Sequence, residues 1–229
     1  MTKNSILSVD EMTQAGVNFG HKVSKLHPKM KQFVSGIKNN VHMFDLEKTA
    51  KELERALNFI EKIIADNKVL LFVGTKPQLK GLITQTAKDV GLPYVTERWL
   101  GGTITNFETI QKRVDYFKDL ERKKMTGELE KYTKKERLMF DKELAKLQVK
   151  FGGIKNMSKL PDAVFIFGLD KDMTAAKEAK KKGIKIVAIV DSNINPDIAD
   201  YAIPANDDAM SAVKYILDRT SETIKNAKK

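Results

Sequence analysis

Three short stretches, KVLLFVG at 68–74, DAVFIFG at 162–168 and IKIVAIVD at 184–191, are almost unbroken apolar runs. A strand with one wet face alternates apolar and polar residues, whereas a strand covered on both faces has no polar side to show. These runs are also short for helices. They therefore predict central strands of a buried sheet, and LPYVTE at 92–97 and YAIPAND at 201–207 add two briefer ones. Helical patterns fall between them. From Leu46 to Asp66 the residues Leu53, Ala56, Leu57, Ile60 and Ile64 keep helical spacing. A helix is expected over 77–90, with Pro77 in its first turn. Another is MTAAKEAKKKG, with Lys180, Lys181 and Lys182 at its negative end before a stop at Gly183. Asp207 is expected to cap a closing helix from Asp208 onward. Strand and helix in alternation predict an α/β, doubly wound, mainly parallel sheet.

Residues 105–151 break that alternation. Capping boxes are read at Thr105 (T-N-F-E) and Thr133 (T-K-K-E), each opening a helix. Phe107, Ile110, Val114 and Phe117 step by three, four and three, and Phe140, Leu144, Leu147 and Phe151 by four, three and four. That is the spacing of a coiled-coil seam. The segment reads as an antiparallel helical hairpin, an arm reaching on the order of 30 Å. The domain organisation expected is an α/β domain of 1–104 and 152–229, carrying a basic hairpin region at 16–45, with 105–151 inserted.

The arm leaves just after ERWLGGTITNF at 97–107, which holds Trp99, the chain's only tryptophan. Gly101 and Gly102 permit backbone conformations closed to other residues, as a sharp exit turn needs. Trp99 is expected to anchor that root, with Arg98 and Asn106 as polar groups where an RNA backbone could pass.

Charge decides among partners. The chain carries 41 Lys+Arg against 30 Asp+Glu, a net +11. A basic surface attracts polyanions. The cations are 35 Lys and 6 Arg, and lysine is a point charge suited to phosphate more than to base edges. The N-terminal segment NFGHKVSKLHPKMKQFVSGIKNNVHMF at 18–44 reads as a basic loop after a short capped helix ending at Ala15. It closes in a hairpin turning at Asn39 and Asn40. His21, His27 and His42 all lie here without a matching carboxylate or cysteine spacing, so no metal site is expected. The absence of cysteine excludes disulfides and thiolate sites. MTKNSILSVDEM has no apolar core of signal-peptide length, and no run nears the roughly 20 apolar residues of a membrane span. A cytoplasmic protein is expected.

Catalytic motifs are missing. VGTKPQLKG at 73–81 could bind phosphate at a helix N-terminus, but it lacks the G-x-x-x-x-G-K-[ST] spacing. Asp170 and Asp191, at strand ends, read as caps more readily than as catalytic acids. A phosphosugar- or nucleotide-binding enzyme, with its anion near Thr75 and Lys76, is the competing reading.

AGVNFGHKVSKLHPKMKQFVSGIKNNVHMFDLEKT, LFVGTKPQ, ERWLGGTITNFETI, FGGIKNMSKLPDAVFIF and AIVDSNINPDIADYAIPANDDA resemble, in order and over essentially the whole chain, the bacterial small-subunit ribosomal protein two family. The resemblance implies a five-stranded parallel sheet with a coiled-coil hairpin after the RWLGG block. It also implies a structural, non-catalytic role in the small subunit, seated on 16S rRNA. Neighbouring proteins would be partners, among them the large mRNA-binding small-subunit protein one where present. No cofactor, membrane or small-molecule substrate is expected. The basic end SETIKNAKK lacks the longer acidic tail of some relatives, and no role of that tail is carried over. The RNA-binding residues expected are Lys22, Lys25, His27, Lys29, Lys31, Lys38, Lys76, Arg98 and Asn106.

Overall fold

A computed structural model describes residues 7–228. The buried runs form the expected sheet: β4 (Leu70–Val73), β5 (Tyr94–Val95), β6 (Ala163–Ile166), β7 (Lys185–Val190) and β8 (Tyr201–Pro204) are all parallel, in the order β5-β4-β6-β7-β8. This is the doubly wound arrangement in which the order reverses between the first two central strands.

Each strand feeds two cores. Leu71, Val73, Val164, Ile166, Ala188 and Val190 face one side, and Leu70, Phe72, Ala163, Phe165, Val187 and Ile189 face the other. The second face is covered by α2 (Leu46–Ala65), α3 (Lys80–Val90) and α7 (Met210–Ala227), through residues such as Leu53, Ile60, Ile83, Val213 and Ile216. The first is covered by Ala175, Ala176 and Ala179 of α6 (Met173–Lys181) and by Trp99, Ile104 and Ile154. Ile110, Val114 and Phe117 of α4 (Phe107–Met125) and Leu144, Leu147 and Phe151 of α5 (Lys134–Phe151) continue that same cluster. The two helices touch each other, and Lys124 near the end of α4 pairs with Asp141 of α5 at 2.6 Å.

The N-terminal segment is more ordered than its sequence suggests. After α1 (Val9–Gln14), the stretch expected as loop begins with a strand, β1 (Phe19–Lys22), which pairs antiparallel with β3 (Val41–Phe44). The hairpin with β2 (Val34–Lys38) forms as read, and Asn39 and Asn40 turn it with φ of 50° and 62°. Its order is β1-β3-β2.

Several local expectations give way to tertiary contacts. Helix α3 starts at Lys80, so Pro77 lies in the turn before it. Asp207 does not cap α7; Asn206 Oδ1 accepts from the amides of Asp208 and Ala209 at 2.9 and 3.0 Å. Thr133 completes its capping box with Glu136. Thr105 does not, because its hydroxyl and amide turn to Glu178, and Asn106 starts α4 without a side-chain cap.

Gly153 marks the tightest approach. A Cβ there would sit 2.1 Å from the Tyr94 carbonyl oxygen, whereas one on Gly81 in α3 meets nothing within 4 Å. Gly153→Ala should therefore destabilise by about 1–3 kcal/mol through overpacking. Gly81→Ala should stabilise by roughly 0.5–1 kcal/mol. Urea unfolding of both variants tests this, and equal midpoints would refute the packing assigned to the β5 edge.

Candidate nucleic-acid interface

The order reversal lies between β4 and β6, the point where doubly wound folds commonly bind small ligands. Here the chain's own acids occupy the donors. Thr75, directly after β4, donates its amide at 2.9 Å and its hydroxyl at 2.7 Å to buried Asp172. Lys76 Nζ lies 2.7 Å from Asp207 and 2.8 Å from Asp208, and its side chain is 12% exposed. Burial works against the Lys76 charge, yet the two aspartates outweigh it and hold the ammonium above its ordinary pKa. Burial pushes the Asp207 carboxyl up to about 6 despite Lys76. A phosphate brought to Thr75 and Lys76 would have to displace carboxylates and face their repulsion. The arrangement does not suit the phosphosugar or nucleotide reading.

Beside this network the N-terminal sheet is clamped to the end of β7. Ser192 accepts from the His21 amide through Oγ at 2.8 Å and from the His27 amide through its carbonyl at 2.8 Å. His21 Nδ1 lies 3.0 Å from Asp191, and Nε2 lies 3.6 Å from Asp208. The hydrogen bond to Asp191 raises the imidazole above its ordinary pKa against the cost of burial, and the charges of Asp191, Asp208 and Asp207 add to it. His21, Asp191 and Asp208 bring ligand-type atoms within 4.8 Å of one another. The grouping is not legible as a local pattern, because 170 residues separate His21 from Asp191. Each imidazole nitrogen faces a different carboxylate, the geometry of a pinned imidazolium.

The expected RNA-contact residues divide by what they touch. Lys22 ends β1, Lys25 lies in the turn after it, Lys31 in the 3-10 turn Pro28–Phe33, and Lys38 at the end of β2. All four are exposed, and among the described residues none of them forms an ion pair. His27 is half-buried and caps the 3-10 turn, its Nδ1 accepting from the Lys29 amide at 3.3 Å. Lys29 pairs with Asp197, and Lys76 is committed as described. Arg98 and Asn106 are exposed on either side of the arm's root, where Asn106 accepts from Thr109 Oγ1.

That root is held by a residue the sequence reading did not single out. Glu178 of α6, 8% exposed, accepts five hydrogen bonds. Oε1 receives Trp99 Nε1 at 3.0 Å and the Gly102 amide at 2.8 Å. Oε2 receives the Ile104 and Thr105 amides at 3.1 and 3.0 Å and the Thr105 hydroxyl at 3.0 Å. Gly102 takes φ of 91°, which lets its amide turn inward. A legible signal existed: Glu178 lies on the same helix face as Ala175 and Ala179, an acid in a row of small buried residues.

The doubly wound domain fills its ligand crevice with its own carboxylates and carries exposed lysines on its N-terminal segment, which suits a polyanion-binding structural protein. Comparison with known proteins agrees. A family model described as Ribosomal protein S2 matches residues 12–227. Small ribosomal subunit protein uS2 from Dehalococcoides mccartyi strains BAV1, CBDB1 and 195 is in each case 40% identical over 217 residues, 95% of this chain and 89% of the relative. The chain belongs to the ribosomal protein S2 family, and its role is that of a structural component of the small ribosomal subunit.

Burial opposes the charge on Glu178, but the bonds from Trp99, Thr105, Gly102 and Ile104 outweigh it and hold its pKa below the ordinary 4.5. A depressed carboxyl contributes stability that is present above its unfolded value and lost as pH falls through the folded one. Glu178→Gln puts an NH2 against N–H donors and should cost about 2–4 kcal/mol at pH 7. The gap between wild type and variant should narrow as pH drops below 4.5. Thermal melts from pH 7 to 3.5 check this, and a gap constant with pH would show that the charge is not what holds the loop.

Proposed function

We propose that the chain seats on 16S rRNA through the unpaired lysines of its N-terminal segment, Lys22 to Lys38, and reaches neighbouring small-subunit proteins with its helical arm. The carrying observation is the contrast in partners. Lys22, Lys25, Lys31 and Lys38, at the ends of β1 and β2 and in the 3-10 turns between them, form no ion pair among the described residues, while Lys29 and Lys76 spend their charge on aspartates. Exposed ammonium groups on a rigid sheet suit phosphate oxygens, which need charge more than shape. Exposed Arg98 and Asn106, before and at the start of α4, and half-buried His27 are included in the same reading. Lys29 and Lys76 join it only where RNA displaces Asp197, Asp207 or Asp208.

The division into a body (1–104 and 152–229) and an antiparallel coiled-coil arm (105–151) belongs to the same proposal. The heptad steps on both helices support it, as do Lys124–Asp141 and the Tyr116–Glu143 hydrogen bond between them. The continuity of apolar residues from Trp99 through Ile110 and Phe151 makes the arm's base part of the body's core. The arm therefore holds a fixed direction. Among its neighbours, the large mRNA-binding small-subunit protein one is a partner in organisms that have it.

Binding to purified 16S rRNA should weaken linearly in log–log form with salt, by about 0.9 per duplex phosphate contact. Changing Lys22, Lys25, Lys31 and Lys38 to Gln should flatten that slope by roughly the same amount per lost contact and leave the melting temperature nearly unchanged. Lys180, Lys181 and Lys182, at the C-terminal end of α6, serve as the control. A loss of equal size from the control triplet, or an unchanged slope for the quadruple variant, would overturn the assigned face.

A further inference from the structure

Helix α5 carries a second apolar row besides the one that meets α4. The inward row is Phe140, Leu144, Leu147 and Phe151, spaced four, three and four. Positions 138, 142, 145 and 149 repeat that spacing on the opposite side, as Leu138, Lys142, Ala145 and Val149. Leu138 and Val149 are 54% and 58% exposed, and the neighbouring Met139 is 62% exposed. Ala145 and Val149, with Lys146 and Lys150, border a surface depression of about 320 Å³. At 100° per residue the outward arc also takes in Lys134 and Lys135. It carries five lysines, and its one acid, Asp141 at the edge, is paired with Lys124.

The acids of α5 are spent elsewhere. Glu136 closes the capping box with Thr133, Asp141 pairs with Lys124, and Glu143 bonds Tyr116. Lys134, Lys135, Lys142, Lys146 and Lys150 form no ion pair among the described residues. The outward face is thus an open heptad seam with an unbalanced positive border.

We propose that this face docks an α-helix of a neighbouring small-subunit protein, one with an apolar heptad row flanked by Glu or Asp. This rests on the reading of 105–151 as an arm that reaches neighbours. Heptad rows of aliphatic side chains bury best against a second such row, with Ala145 leaving room for a larger knob. Lys142 fits at a seam position because its stem packs while its ammonium reaches out to a partner carboxylate. An RNA backbone would satisfy the lysines but leave Leu138, Met139 and Val149 against phosphate and water.

The test uses the full chain with p-benzoylphenylalanine in place of Val149, assembled into purified small subunits and irradiated. The expected crosslink is to a protein segment bearing an acid-flanked apolar heptad row. Adding Leu138→Glu and Lys142→Glu should cut its yield about tenfold, a loss of roughly 1.4 kcal/mol in affinity. All three positions are exposed, so the melting temperature should hold. A crosslink to rRNA, to a protein segment without that pattern, or to nothing would overturn the docking face. None of these would touch the arm or the RNA face, provided the chain still co-sediments with subunits. Loss of co-sedimentation in the unsubstituted chain would instead sink the proposed function itself.

Discussion

A single carboxylate decides where α4 leaves the body of the fold. Five donors between Trp99 and Thr105 converge on Glu178, and four of those groups belong to backbone or side chain within a stretch of four residues. A loop that turns this sharply leaves amides aimed away from any ladder, and buried amides without acceptors are costly. One buried anion satisfies them together. Charge-assisted bonds are shorter and stronger than neutral ones, so the loop is held firmly enough to set the exit of α4. Trp99 then packs as well as donates, joining the sheet's core to Ile104 and Ile110. Helix α4 takes its direction from a loop held by α6 on the sheet's face.

The same economy closes the crevice. Doubly wound sheets leave a gap where the order reverses, and enzymes on this scaffold place ligands there. In this chain Asp172 takes the Thr75 donors and Asp207 takes Lys76. A site able to hold an anion has become internal bracing. The bracing extends to the appended sheet, since His21 meets both Asp191 and Asp208, and Asp208 in turn meets Lys76. The carboxyl of Asp208 is held below its ordinary pKa by Lys76 first, against some burial, with His21 and Lys25 adding to it. Sheet, crevice and appended hairpin are thus one electrostatic unit.

Much of this was legible beforehand and the remainder was not, for a consistent reason. Buried runs such as VLLFV and IVAIV announce themselves because both faces of those strands are covered. Helical and heptad spacings in α2, α4 and α5 are likewise local patterns. β1 escaped because Phe-Gly-His-Lys is neither apolar nor alternating; its order comes from pairing with β3 and from Ser192, far along the chain. The box at Thr105 was a correct local pattern overruled by Glu178, seventy residues away. Asp207 looked like a cap, yet α7 starts at Met210 without a side-chain cap, and Asp207 turned inward to Lys76. In the RNA face the sequence showed where lysines crowd. It could not show that Lys29 and Lys76 are paired while Lys22, Lys25, Lys31 and Lys38 are free, since the pairing acids lie more than 100 residues on.

Those pairings also spend part of the chain's negative charge: among the described residues Asp172, Glu178, Asp191 and Asp207 are buried. Acids in this protein are repeatedly turned to backbone amides. Asp162 accepts from the Val69 amide at the start of β4, Asp200 from Ile186 at the start of β7, Asp172 from Thr75 after β4, and Glu178 from three amides of the arm's root. Each of these bonds ties a strand or loop to the element beside it, and several draw negative charge inward. Lysines, with long stems and hydrated heads, stay outside. Net charge alone would give a weak, diffuse attraction. The lysines of the N-terminal segment, Lys22 to Lys38, and those on the outer face of α5 form no ion pair among the described residues, apart from Lys29 with Asp197. The acids that hold the fold together thereby also sharpen the field with which it meets its partners.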